Sequence, residues 1–428
     1  MNKTLSNIFK GDKVIWMVFF FLCIISVVEV YSASSELTYK GGSYLTPVLK
    51  HIGILIMGVF CMLVTLNIKC KYFKLITPFL LILSFLTLAW VLVAGHTTNG
   101  AQRWISLLGM QFQPSEIAKG AMVLATAQIL SAMQTDSGAD KNAFKYVLVV
   151  GAFIIPLIFF ENLSTAALLS SVIFLMMFIG RVPMKQLGSL LGIVVLLAFL
   201  AVSMIMLVGT DKANANINTK MNYTEQSASA PKSDGIFSSI FHRADTWKSR
   251  IDKFVDKKDV APKDVDLDKD AQVSHANIAI ASSNIVGKGP GRSDERDFLS
   301  QAFSDFIYAI IIEETGVEGA FVVAFLYVIL FVRTGIIAKR CENNFPAFLA
   351  MGLALLLVVQ ALFNMCVAVG WLPVTGQPLP LISKGGTSSI INCVYVGAIL
   401  SVSRSAKKRQ IETDATVTDG AVPQQAMA

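Results

Sequence analysis

The sequence predicts an all-α integral membrane fold: ten transmembrane helices, with a large extracytoplasmic loop between helices seven and eight. Three observations carry this expectation. The 428-residue chain is 54% hydrophobic and 15% charged, with a mean hydropathy of +0.61, far from the composition of soluble proteins. Its apolar runs approach the roughly 20 residues needed to cross about 30 Å of hydrocarbon. The basic residues between the runs also alternate from loop to loop, the pattern of lysines and arginines retained on the cytoplasmic side.

The expected spans are Val14–Tyr31, Ile52–Leu66, Phe73–Ala94, Ile117–Met133, Tyr146–Phe160, Leu163–Gly180, Leu187–Val208, Phe306–Val332, Phe345–Val369 and Leu381–Val402. The second and fifth are short and begin just beyond Lys50/His51 and Lys145. Lys3, Lys10 and Lys13 precede the first span; Lys69, Lys71 and Lys74, Lys141 and Lys145, Arg181 and Lys185, Arg333, Lys339 and Arg340, and Arg404 to Arg409 fall in every second connection thereafter. That places both termini in the cytoplasm. The chain divides into a cytoplasmic segment at 1–13, seven helices over 14–209, the outer loop at 210–301, three helices over 302–404 and a polar tail at 405–428 expected to be disordered. The first run is long enough to span and lacks a small-residue cleavage pattern, so it reads as an anchor. Six cysteines, none in the outer loop, imply no disulfide framework. Lysine and arginine equal aspartate and glutamate within the outer loop, so the net charge of +7 reports topology and no nucleic-acid partner is expected.

A loop of about ninety residues is too long for a plain connector. Within it, Gly235–Val255 places Ile236, Phe237, Ile240, Phe241, Trp247, Ile251 and Phe254 on helical spacings. This amphipathic segment suits the bilayer surface or the protein's own rim. Asp256–Asp270 reads as solvated linker and Ala271–Asn284 as helix. Gly287-Lys288-Gly289-Pro290-Gly291-Arg292 follows, a turn whose amides and cations suit an anion such as phosphate, although it lacks the Lys-Ser/Thr of a P-loop.

Ionisable residues at the membrane edge are functional candidates because an unpaired charge there costs several kcal/mol. Arg103 lies in NGAQRWIS. Glu116 and Lys119, three apart in QPSEIAK, share a helical face, and structural pairing and a substrate role both remain open. Lys384, in SKGGTS beside Ser383 and Thr387, reads as a snorkelling lysine or an anion ligand. Asp305 stands before Phe306, where an acid caps a helix and complements its dipole. Glu313 lies about 12 Å further along the same helix, in the expected bilayer interior. Glu314 points about 100° away from it, so at least one of the two is expected to be a buried structural partner for a polar or basic group.

Taken together, the blocks at 100–105 (GAQRWI), 113–119 (QPSEIAK), 287–291 (GKGPG), 304–309 (SDFIYA) with Glu313-Glu314, and 379–388 (LPLISKGGTS) resemble the SEDS family (shape, elongation, division and sporulation; FtsW/RodA/SpoVE) over about Val14 to Arg404. The resemblance implies a peptidoglycan glycosyltransferase, most like the FtsW type, that polymerises lipid II during cell division at the outer face of the cytoplasmic membrane. It implies Asp305 as the catalytic residue and a class B penicillin-binding transpeptidase, with other divisome proteins, as partners. An aspartate at the wet edge suits general-base removal of the acceptor GlcNAc 4-hydroxyl proton, with undecaprenyl diphosphate leaving. Arg103, Glu116, Lys119, Lys288, Arg292, Ser383, Lys384 and Thr387 are the residues expected at the substrate and its diphosphate. No metal ligands stand out, and a divalent cation, Mg or Mn, is left open. Two departures stand out: Glu161-Asn162 where the family commonly has an aspartate, and Lys384 where it commonly has an aromatic residue. The competing readings are a lipid II flippase, an elongation- or sporulation-type polymerase of the same family, and a scaffold for the transpeptidase.

Overall fold

Caps fix where the helices begin. In the computed structural model, which describes residues 9–33, 45–94, 96–98, 101–107, 110–136, 138–208, 271–299 and 304–419, α1 (Lys13–Ala33) starts where Asp12 Oδ1 accepts from the amides of Val14 and Ile15 at 2.9 and 3.3 Å. Helices α2 (Leu45–Asn67) and α3 (Cys70–Ala94) follow. Helix α4 (Pro114–Ala132) opens on a proline, whose missing N–H is no loss in a first turn. Asp140 caps α5 (Lys141–Glu161) through the Asn142 amide at 2.7 Å. Asn162 caps α6 (Leu163–Ile179), accepting from the amides of Ser164 and Thr165 at 3.1 and 3.4 Å. The amide at the family's usual aspartate position is therefore a helix cap. Helix α7 (Met184–Val208), the short α8 (Ala271–Ser282), α9 (Ile307–Lys339), α10 (Asn344–Ala368) and α11 (Thr387–Asp419) complete the order.

Seven of these helices are long and apolar enough to cross a membrane; α6 and the Met184–Leu196 part of α7 are apolar but shorter. Helix α4 meets protein along most of its surface, Ala118, Ala121, Met122 and Val123 all being buried, so it needs no lipid-like hydropathy. Several expected ends move. Helix α2 begins at Leu45, since Lys50 and His51 lie within it and His51 is buried. Helix α11 begins at Thr387, six residues after the expected Leu381, because residues 377–386 form an irregular turn. It runs on to Asp419, into the tail expected to be disordered: SAKKRQIE favours helix, and no glycine or proline intervenes before Gly420.

The fold is mostly helical but not all-α. Strands β1 (His96–Thr98), β2 (Ala101–Leu107) and β3 (Met110–Phe112) form an antiparallel sheet in that order, and β4 (Gln134–Thr135) pairs with β5 (Gly138–Ala139). Strands β1, β3, β4 and β5 fall below the window in which hydropathy separates strand from loop, and β2 (AQRWISL) lacks strict alternation.

Helix α10 occupies the centre, packed against α9, α4, α6 and α11, while α2 lies along α11 and α1 along α9. The outer helices turn large apolar side chains outward, with Phe79 67%, Phe153 64% and Val195 60% exposed, a surface that suits lipid and would be a liability in water. The α2–α11 contact depends on small residues, as close helix approaches in membranes do. A Cβ on Gly397 would stand 2.7 Å from the Met62 carbonyl oxygen, whereas one on Gly53 would meet nothing within 4 Å. Backbone cannot swing aside as a side chain can. Gly397→Ala is therefore expected to cost about 1–3 kcal/mol and lower the unfolding midpoint in detergent, with Gly53→Ala neutral or slightly stabilising in the same measurement.

Candidate functional site

Residues 304–306 turn into α9. The N-cap is Phe306, one residue later than the cap reading of Asp305 places it. Asp305 is half-buried, and Ser304 Oγ donates to its Oδ1 at 3.0 Å. The Asp305 carbonyl accepts from Asn364 Nδ2 at 2.8 Å, and the Ser304 carbonyl from Ser383 Oγ at 2.7 Å. Both carbonyls of the turn are thus fastened, one to α10 and one to the turn before α11, so the carboxylate projects from a fixed backbone.

The donor on α10 belongs to a pair of amides one helical turn apart. Gln360 and Asn364 are each 1% exposed. Gln360 Oε1 accepts from Lys119 Nζ at 2.8 Å, and its Nε2 donates to the Pro378 carbonyl at 3.0 Å. Asn364 Nδ2 also donates to the Gln377 carbonyl at 2.8 Å, and Gln377 Nε2 donates to Thr165 Oγ1 at 2.8 Å. Lys119 pairs with Glu116 at 2.8 Å, both buried, the structural alternative read from their spacing. Two of the stretches singled out in sequence, 113–119 and 304–309, therefore meet on two amides that were not, and 161–165 joins them through Gln377. Two polar residues four apart in an otherwise apolar helix were the available signal. Ser383, 2% exposed, accepts from the Leu379 amide at 2.7 Å as well as donating to Ser304, so its hydroxyl holds the two turns together.

The glycine-rich turn cradles an anion, and the anion is the chain's own. Backbone amides of Lys288 and Gly289 donate to the Glu313 and Glu314 carbonyls at 3.0 and 2.7 Å, and that of Gly291 to Glu314 Oε2 at 2.9 Å. Lys288 Nζ reaches Glu313 Oε1 at 2.6 Å and Asp294 Oδ2 at 2.9 Å, while Ser293 Oγ donates to Glu313 Oε2 at 2.5 Å. Ser32 of α1 donates to Glu314 Oε1, and Arg296 Nη1 donates to Ser32 Oγ at 3.1 Å. Both glutamates are 0% exposed and serve one loop despite pointing apart, because the loop wraps the helix where it breaks. Gly316 (φ 72°, ψ −171°) interrupts α9, and a Cβ there would lie 2.1 Å from the Ile285 carbonyl oxygen. Residues 317–339 extend about 34 Å by themselves, enough to span. The phosphate reading of Lys288 accordingly gives way to a structural ion pair. Hydrogen bonding to Glu313 raises the Lys288 ammonium above its ordinary value.

Around this end of α9, Ala276 and Leu299 pack on Phe306, Ala309, Ile310 and Val367. His275 hydrogen-bonds Glu295 at 2.6 Å and stacks on Phe298, ring centroids 5.2 Å apart. The amphipathic segment 235–255 lies outside the described residues. Arg103 lies on β2, and the register places it at a bulge: His96 pairs with Trp104 and Thr97 with Gln102, so Arg103 is the extra residue, a feature that often re-aims side chains beside functional sites. Arg292 is exposed; Lys384 and Thr387 are half-buried. Burial, and then the charge of Lys50, hold the Lys384 ammonium below its ordinary value. Among the described residues no group of three or more His, Cys, Asp or Glu is placed to hold a metal ion, so no step is routed through one.

A long-helix bundle with an apolar exterior, a buried polar interior and one fastened carboxylate at a helix entrance defines a multi-pass membrane protein with a site at one end of the bundle. The FtsW/RodA/SpoVE family, described as "Cell cycle protein", matches residues 12–408. A probable peptidoglycan glycosyltransferase FtsW of Geobacter sp. (strain M18) is 30% identical over 92% of this chain and 96% of its own. Peptidoglycan glycosyltransferase MrdB of Escherichia coli K12 is 26% identical over 91% and 93%. Among solved structures, a chain from a peptidoglycan synthase complex that coordinates polymerization and crosslinking superposes with a TM-score of 0.66 at 21% identity, covering 92% of this chain and 98% of its own. The rod shape determining protein RodA of Thermus thermophilus superposes with a TM-score of 0.61 at 21% identity, covering 94% and 99%. The chain belongs to the FtsW/RodA/SpoVE family.

Lys288→Met removes the charged partner of a carboxylate that is 0% exposed. Because Ser293 and the Asp294 amide still hold Glu313, the expected loss is about 2–3 kcal/mol, read as a lower unfolding midpoint. A lysine whose pKa is raised on folding contributes fully below its unfolded value and loses that contribution as pH rises through the folded value. The gap between wild type and variant should hold constant from neutral pH to about 9 and close above the ordinary value of 10.5.

Proposed function

We propose that this chain is a peptidoglycan glycosyltransferase that polymerises lipid II, with Asp305 as the general base. The observation that carries the reading is the Asp305 turn, fastened through Asn364 and Ser383, half-buried and beside the turn that bears Lys384. The Asp305 carboxylate takes the proton of the acceptor GlcNAc 4-hydroxyl as that oxygen bonds to the anomeric carbon of the donor MurNAc. The bond from that carbon to the diphosphate breaks in the same displacement, with inversion, and undecaprenyl diphosphate leaves with the electron pair. A single displacement needs one base and no covalent sugar intermediate, and a diphosphate leaves without a second acid. It needs positive charge instead. Arg103, Arg292 and Lys384 supply it, and Thr387 adds a neutral hydroxyl donor. Glu116, Lys119, Ser383 and Lys288 act behind them, as the frame that holds Asp305 and the outer loop in place.

The relatives' names support the FtsW-type, division-linked reading, and the likeness to a chain of a synthase complex supports a class B penicillin-binding transpeptidase as partner. With both termini cytoplasmic, as the basic loops require, Asp305 faces the extracytoplasmic side, where lipid II is consumed.

Purified protein, with and without a transpeptidase partner, is incubated with lipid II and the products are run on a gel. Wild type should yield glycan chains, and Asp305→Asn, which keeps the shape and removes the base, should reduce the rate by 10²-fold or more with an unchanged unfolding midpoint. Polymerisation that survives the substitution would remove Asp305 as base. No polymerisation by wild type, alongside lipid II translocation in liposomes, would make the chain a flippase.

A further inference from the structure

The end of the bundle opposite Asp305 holds a second polar assembly that the proposed reaction does not use. A cavity of about 300 Å3 opens there between the start of α1 and the ends of α9 and α11, lined by Asp12, Lys13, Arg333, Arg340 and Ser403 with Ile337 and others. The one carboxylate among the described residues that line it is fully committed. Asp12 Oδ1 caps α1 through the amides of Val14 and Ile15, and Oδ2 accepts from Arg333 Nε and Nη2 at 2.9 and 2.8 Å. That fork uses two of the five guanidinium N–H donors and sets the Arg333 plane in the cavity wall. Lys10 and Arg404, close by, share a single neutral acceptor, Asn67 Oδ1, each at 3.4 Å. Among the described residues, Lys13, Arg333 and Arg340 thus line the recess around one saturated acid, with Lys10 and Arg404 next to lining residues in the chain.

Retention of basic residues on the cytoplasmic side explains positive loops, and solvated loops would satisfy it. It does not explain why Lys13, Arg333 and Arg340 converge on one recess between helix ends, where like charges raise each other's cost unless an anion joins them. We infer that this recess binds the phosphate of an anionic phospholipid headgroup. The lipid source follows from the position: the cavity lies at the ends of helices whose outer faces are lipid-like, and Ile337 gives it an apolar wall. Basic pockets of this kind between transmembrane helices take phosphate headgroups on the cytoplasmic side. Arg333, held flat by Asp12, supplies a fixed fork of donors, and the exposed Lys13 and Arg340 close over the phosphate from either side.

The full chain, purified in detergent, is titrated with phosphatidylglycerol or phosphatidylcholine and bound lipid is counted by native mass spectrometry. Phosphatidylglycerol should be retained preferentially, and the double variant Lys13→Gln/Arg340→Gln should lower its retention by roughly tenfold or more. Lys145→Gln/Lys185→Gln removes two exposed lysines from the N-terminal ends of α5 and α7, outside the recess, and should leave retention unchanged. Equal retention of the two lipids by wild type, or a phosphatidylglycerol preference that survives the Lys13/Arg340 change, would overturn the assignment. So would loss in the Lys145/Lys185 control equal to that in the Lys13/Arg340 variant, which would reduce the effect to net charge. Displacement of phosphatidylglycerol by millimolar inorganic phosphate would give the recess to a soluble anion instead.

Discussion

The turn at 377–386 runs through the interior of a helical bundle, where its main-chain carbonyls have no water to fall back on. Irregular backbone is tolerated at membrane depth only when protein supplies the missing partners. Here the partners are side chains reaching in from three helices. Asn364 and Gln360 of α10 donate to the Gln377 and Pro378 carbonyls at 2.8 and 3.0 Å. Tyr327 of α9 donates to that of Pro380, and Ser26 of α1 to that of Ile382 at 2.6 Å. Ser26 is itself held by His51 of α2 at 2.7 Å. Leu381 sits at φ 66°, a conformation costly for a branched side chain and kept only when surroundings over-determine it. Asn364, Gln360, Tyr327 and Ser26, polar residues within apolar helices, are thus accounted for by one buried turn.

Asp305 inherits its position from that arrangement. Asn364 uses one amide nitrogen for both the Gln377 and Asp305 carbonyls, and Ser383 ties the Leu379 amide to the Ser304 carbonyl. A change anywhere in the turn is therefore passed to the carboxylate within two hydrogen bonds, without contact between the altered residue and the substrate. The second fastening is ionic. At the break in α9 the buried Glu313 and Glu314 hold the loop after α8, so residues 288–294 are tied to the helix that follows Asp305. A buried carboxylate pair is expensive alone and pays for itself only when its lone pairs are filled, and Lys288, Ser293 and the amides of Gly291 and Asp294 fill them.

The sequence made the helices legible because lipid imposes a strong, simple signal: long apolar runs bounded by charge. Their ends were harder to read. Lys50 and His51 looked like a boundary, yet they lie inside α2, where His51 is buried with its Nε2 bonded to Ser26. The three-stranded sheet was hidden in a connection too short for periodicity to show, although Asn99-Gly100 between its first two strands is a hairpin signal. The site was half legible. Charged residues drew attention to Glu116, Lys119 and Asp305, whereas Gln360 and Asn364, neutral and inside an apolar run, did not. Gly316 could not be recognised as a helix break from sequence alone, since what makes it necessary is the carbonyl of Ile285, distant along the chain.

Under the proposed reaction, the distinction between residues that face substrate and residues that support it comes down to charge. Lys119 is neutralised by Glu116 inside the bundle, and Lys288 by Glu313 and Asp294 at the loop. A cation already paired with a carboxylate projects little field, and inviting a diphosphate to it means first breaking a bond in a poorly hydrated place. Arg103 at its bulge, Arg292 on the exposed loop and Lys384 in the Gly-rich turn come from three different elements. A lysine held below its ordinary pKa by burial and a neighbouring lysine, as Lys384 is, gains most from an arriving anion. Under the proposed reaction this favours Lys384, and not the buried Lys119, as the lysine that meets the leaving group.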